Sequence, residues 1–176
     1  MKRILANLIL VASLNAFAAE PPLFFDSGVN GLMLEDKKSG QSFLSDQFPD
    51  QDLTGFSFWF SNDDDSETLA VFIHPEDTVF NAAEILVRAS LPKESFPKFL
   101  GLKGAFETEK GIKLGITAED VIKILGKPTA IKGDAYLYRV EDSKYLLDTY
   151  NLPIYYGEYT FNEGRLIGFK FGFEYP

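Results

Sequence analysis

The sequence predicts an α+β fold, an antiparallel β-sheet with one or two short helices packed on one face. Three stretches carry that expectation. Phe56, Phe58 and Phe60 alternate with Ser57, Trp59 and Ser61, and a second alternating run, Leu69 to His74, follows a polar loop. Residues 117–128 read as a capped helix with a proline stop. Ile154 to Phe161 and Arg165 to Tyr175 read as a hairpin closed by Asn162-Glu163-Gly164.

At the start, Met1 to Ala18 has the pattern of a secretory signal. Lys2 and Arg3 are basic, Ile4 to Leu14 is largely apolar, and Ala16-Phe17-Ala18 is small-x-small. Cleavage is expected after Ala18. The apolar run is shorter than the roughly 20 residues a membrane-spanning helix needs. The chain has no cysteine, which excludes disulfides and a lipid-modified cysteine. Removing residues 1–18 leaves 15 Lys+Arg against 26 Asp+Glu, a net charge of −11 over 158 residues. Such a surface argues against nucleic acid and anionic membranes as partners. A chain of that length buries roughly 68–70% of its surface on folding, so one domain, residues 19–176, is the expectation.

The N-terminal half reads as strands. Val29 to Leu34 and Ser42 to Leu44 are short apolar runs, separated by a turn-like Asp36-Lys37-Lys38-Ser39-Gly40. The Phe56–Ser61 and Leu69–His74 runs predict an antiparallel hairpin around Asn62 to Glu67. Ile85-Leu86-Val87 predicts another strand, although Ala82-Ala83-Glu84 could also begin a helix. Leu91 to Leu100, with Pro92 and Pro97, reads as an irregular crossing.

The helix has explicit boundaries. Thr117 is a good N-cap, and Asp120 three residues on makes a near-match to a capping box. Glu119 and Asp120 place negative charge at the positive end of the helix dipole. Val121, Ile122, Ile124 and Leu125 form one apolar stripe. Gly126 is expected in the left-handed C-terminal position, and Pro128 stops the helix. At about two turns it must lie on something apolar, since isolated helices below roughly 12–15 residues are marginal in water.

Tyr136, Tyr138 and Val140 alternate as a strand. In the terminal hairpin a three-residue turn predicts Phe161 opposite Arg165, Tyr159 opposite Ile167, Gly157 opposite Phe169 and Tyr155 opposite Phe171. One face is then aromatic. The other carries Thr160, Glu158, Tyr156, Leu166, Gly168, Lys170 and Gly172. A two-residue turn at Glu163-Gly164 would pair Ile167 with Thr160 and Phe169 with Glu158, a worse core.

The run KGIKLGITAEDVIKILGKP (Lys110 to Pro128), with the Tyr-rich strands and FNEGRLIGFKF (Phe161 to Phe171) after it, resembles small exported modules of the BamE/SmpA type. Those share a helix-plus-antiparallel-sheet fold with the β-lactamase inhibitor protein. The resemblance covers residues 106–173. It implies a non-enzymatic binder of envelope or enzyme partners. The chain departs from the first group in lacking a lipidation cysteine, and from the second in lacking disulfides.

Motifs for chemistry are sparse, and the sequence implies no cofactor and no metal. Gly126-Lys127 is followed by Pro128 where a phosphate loop needs Ser or Thr. His74 is the single histidine, and there is no Gly-x-Ser-x-Gly elbow to pair with it. One imidazole without cysteine makes a poor zinc site. The acidic Asn62–Glu67 loop lacks EF-hand spacing and reads as a solvated turn. The expected function is therefore an exported, non-enzymatic module that acts by protein–protein contact. The alternatives are an inhibitor or immunity protein, and an envelope hydrolase built on His74. The expected partner-binding residues are Tyr156, Lys170, Gly168 and Gly172, on the outer face of the terminal hairpin. There, glycines leave backbone bare beside a tyrosine.

Overall fold

The computed structural model describes residues 19–44, 57–73, 80–92, 96–99 and 102–174. The signal-like segment, Phe56 and His74 lie outside them. The described chain is α+β, with a seven-stranded antiparallel sheet, a two-stranded hairpin and three short helices.

The small hairpin pairs β1 (Gly28–Val29) with β2 (Leu32–Met33). Helix α1 (Lys37–Leu44) follows, where a turn and a strand at Ser42–Leu44 were expected. Asp36 overrides the turn-like composition. Its carboxylate accepts from the N–H groups of Lys38 (2.9 Å) and Ser39 (3.3 Å), which caps the helix. Gly40 sits inside α1 because a Cβ there would stand 1.8 Å from the carbonyl oxygen of Phe80.

β3 (Ser57–Ser61) and β4 (Glu67–Ile73) form the expected hairpin, with Phe58 opposite Val71 and Phe60 opposite Leu69. Residues 82–89 are strand β5 (Ala82–Ala89), not a helix start. Lys98 bridges Ser61 along the outer side of β3, so the 96–99 segment covers part of that edge.

Helix α2 (Ala118–Leu125) is where the sequence puts it. The Asp120 N–H donates to Thr117 Oγ1 (3.1 Å), and that hydroxyl in turn donates to the Asp120 carboxylate (2.7 Å). These bonds hold the Asp120 carboxyl below its ordinary pKa, the Thr117 contact contributing most. The carboxylate takes up the cap's hydroxyl instead of the cap's backbone N–H, so the box is not reciprocal. Gly126 ends the helix at φ 80° but ψ −171°, which corrects the left-handed expectation. Val121 and Leu125 are buried.

β6 (Ala130–Lys132) and β7 (Ala135–Glu141) follow. Helix α3 (Lys144–Tyr150) had no clear sequence pattern; Asn151, in the left-handed region at φ 56°, closes it. β8 (Ile154–Asn162) and β9 (Arg165–Glu174) complete the sheet, whose order is β3-β4-β5-β9-β8-β7-β6. β5 pairs with β9, so the two halves of the sequence share one sheet.

The terminal hairpin has a different register from the one expected. Its turn is the two residues Glu163 (φ 49°) and Gly164 (φ 72°), with Asn162 opposite Arg165. Phe161 pairs with Leu166, but Thr160 pairs with Gly168, so Ile167 is an extra residue in β9. Beyond this bulge Tyr159 faces Phe169, Gly157 faces Phe171 and Tyr155 faces Phe173. The bulge reverses the parity that made a two-residue turn look unfavourable. It buries Leu166 (1% exposed), expected outside, and expels Ile167 (42% exposed), expected inside.

One face of the sheet carries Phe58, Leu69, Val71, Ile85, Val87, Phe169, Phe171, Tyr159, Tyr155 and Tyr138 into a single core. Leu44 of α1, Val121 and Leu125 of α2, and Leu146 of α3 join the same cluster. All three helices therefore lie on that face.

Candidate functional site: the open face of the sheet

The opposite face is built by the alternate residues. Across the centre, one row runs Glu84–Gly172–Tyr156–Arg139, and the next runs Leu86–Lys170–Glu158–Leu137. None of these side chains belongs to the core cluster. Among the described residues no helix crosses this face. Phe96 covers one corner, stacked 5.5 Å from Trp59, whose other neighbours are Phe72 (6.2 Å) and the Arg88 guanidinium (5.6 Å).

The charges on the face answer one another. Lys170 lies 3.7 Å from Glu158. Arg139 binds Glu141 at 2.7 Å and Glu174 at 2.6 Å. The Tyr156 hydroxyl donates to Glu84. Burial raises the Glu84 carboxyl above its ordinary pKa; Lys170 lowers it and Glu158 raises it further.

The expected site residues fall here unevenly. Tyr156 is half-buried on the open face and lies opposite Gly172, not opposite Lys170 as expected. Lys170 is still its neighbour on the diagonal, 6.0 Å from the ring centroid. Gly172 is buried, and it is not bare backbone offered to a partner. A Cβ there would stand 2.4 Å from Ala83 O and 2.7 Å from Glu84 Cα, so the close backbone is the chain's own strand β5. Gly168 is looser, with nearest contacts at 3.5 Å, and it lines a groove.

Two shallow grooves, of about 340 and 430 Å³, lie on either side of the Glu158–Lys170 pair. The first runs over Gly168 between Leu86, Arg88 and Ile167. The second runs between Tyr156, Leu137, Lys132 and Arg139. Compared with protein families, curated proteins and solved structures, the chain matches none. Sequence reasoning found Tyr156 and Lys170 from the outward parity of β8 and β9. It missed Leu137, Arg139 and Leu86, because outward residues can be picked out only once the strand order is known.

The acids of the 62–67 loop are engaged within the fold, while His74 lies outside the described residues. In the Asn62–Glu67 loop, Asn62 Oδ1 accepts from Glu67 N–H (2.9 Å) and Asp64 from Ser66 N–H (3.0 Å). Asp65 pairs with Lys98 at 2.5 Å, and Asp63 accepts from Gly104 N–H at 3.2 Å. These acids shape the turn. Among the described residues no group of three or more His, Asp or Glu side chains could hold a metal ion. Tyr155 is fully buried, and Tyr145 and Tyr150 pack around Phe25.

Proposed function

We propose that this protein is an exported, non-enzymatic binding module that holds a protein partner on the open face of its sheet. The observation that carries the reading is the asymmetry of the sheet. One face takes the whole core and all three helices. The other presents Tyr156, Leu137 and Leu86 among arginines and lysines. Partly exposed Tyr and Arg flanked by apolar side chains is the composition favoured at the centres of protein interfaces. Because Lys170 and Arg139 are paired with acids of the same face, the face suits a protein surface of mixed polarity better than a polyanion.

The export pattern of residues 1–18 and the BamE/SmpA-like run of residues 106–173 support the same reading by analogy. The test is capture from a cell-envelope extract on the immobilised protein. Tyr156→Ala and Lys170→Glu weaken capture of whatever the unaltered protein retains, while Tyr156→Phe, which keeps the ring, weakens it less. Undiminished capture by both of the first two variants rejects this face as the binding surface.

A further inference from the structure

Residues 24–34 form a strap across the core face. Phe25, Val29, Leu32 and Leu34 are buried. The strap is stitched to the 107–109 loop by Asn30 N–H to Glu107 O (3.0 Å), Glu109 N–H to Gly28 O (3.1 Å) and Glu107 N–H to the Asn30 side chain (3.0 Å). It is tied to β8 at one residue, Asp26. The Asp26 N–H donates to the Tyr155 hydroxyl (2.9 Å), and that hydroxyl donates back to the Asp26 carbonyl (3.1 Å).

The Asp26 side chain is the anomaly. It is 1% exposed. Oδ1 accepts from the Ser27 N–H at 3.0 Å, and Oδ2 is buried with no partner. The groups around it are Thr108, Glu109 and Lys110 from the loop, and Tyr155 and Tyr159 from β8. The Tyr159 hydroxyl is also buried without a partner. An ionised carboxyl here is a buried charge that can only accept, and burial outweighs what the Thr108 side chain and the Ser27 N–H offer it. A protonated carboxyl carries no charge and offers an O–H donor.

We propose that Asp26 is an acid-set latch: protonated, it holds the 24–34 strap shut over β8 and the 107–109 loop, and ionised, it lets the strap open while the seven-stranded sheet stays folded. Burial raises the carboxyl from 3.8 to about 6, with Thr108, Lys110 and Ser27 drawing it back and Glu109 adding to the rise. The folded pKa lies above that of the opened strap. The stabilisation is therefore complete below about pH 4 and is lost as pH rises through about 6.

Amide hydrogen exchange on the full chain tests this, read at Asn30 and Glu109, whose bonds join the strap to the loop, with Tyr159 and Phe169 as sheet controls. After correction for intrinsic exchange, protection at the strap falls about tenfold from pH 5 to pH 7.5 for a shift from 3.8 to about 6. The sheet controls do not follow it. In Asp26→Asn the strap shows equal protection at both pH values. The carboxyl carbon of Asp26, followed by NMR, titrates near 6 in the unaltered protein, a readout that does not depend on the variant folding. Strap protection independent of pH, pH dependence that survives Asp26→Asn, or a midpoint near 4 overturns the latch.

Discussion

The hydroxyl of Tyr156 on β8 reaches the carboxylate of Glu84 on β5 across the bare backbone of Gly172 on β9. The three residues are in register, so the ring spans a strand that carries no side chain at that point. This explains the glycine and the tyrosine together. Gly172 lets β5 approach closely and leaves room above it. Tyr156 fills that room and shields the strand that glycine alone would weaken. The open face is thereby a fixed surface, with Tyr156 held in one place by its own sheet.

The two glycines of β9 should respond differently to a methyl group. Gly172→Ala drives a Cβ to 2.4 Å from Ala83 O, where only backbone can give way. A loss of about 1–3 kcal/mol is expected from overpacking. Gly168→Ala meets nothing closer than 3.5 Å. It should be neutral or stabilising by up to about 1 kcal/mol, since glycine inside a strand is unfavourable. Urea midpoints of the two variants compare the cases directly.

The bulge predicts an inversion between neighbours. Leu166→Ala should cost about 2–5 kcal/mol because the side chain is buried. Ile167→Ala, at a side chain 42% exposed, should cost well under half as much. The register read from sequence alone predicts the opposite order, so the same pair of denaturation curves separates the two.

Docking of α2 on the sheet predicts a loss of about 2–5 kcal/mol for Leu125→Ala, which is 1% exposed. Thr117→Ala should cost about 1 kcal/mol through the cap. An unchanged midpoint for Leu125→Ala contradicts the packing described.

What the sequence showed and what it hid have identifiable causes. The β3–β4 hairpin and α2 were legible because their patterns are local: strict alternation around a polar loop, and a cap, a stripe and a stop. Helix α1 was hidden because Asp36-Lys37-Lys38-Ser39-Gly40 has turn composition. Its helical state depends on Asp36 acting as a cap and on Phe80, distant in sequence, packing against Gly40. The terminal register was hidden by a single inserted residue, Ile167, which no pairing rule on its own strand specifies. The candidate face was half legible. Tyr156 and Lys170 follow from strand parity, whereas their neighbours Leu86, Leu137 and Arg139 are brought in by a strand order that joins distant segments.

The binding role of the open face is tested most directly by placing a photo-reactive amino acid at one position and irradiating in the cell envelope. Leu137 lines a groove on the open face, and Leu147 of α3, 42% exposed, lies on the helix side. A discrete crosslinked protein is expected from position 137 and none from position 147. A crosslink from position 147 with none from position 137 would contradict the binding role and move the working surface to the helices.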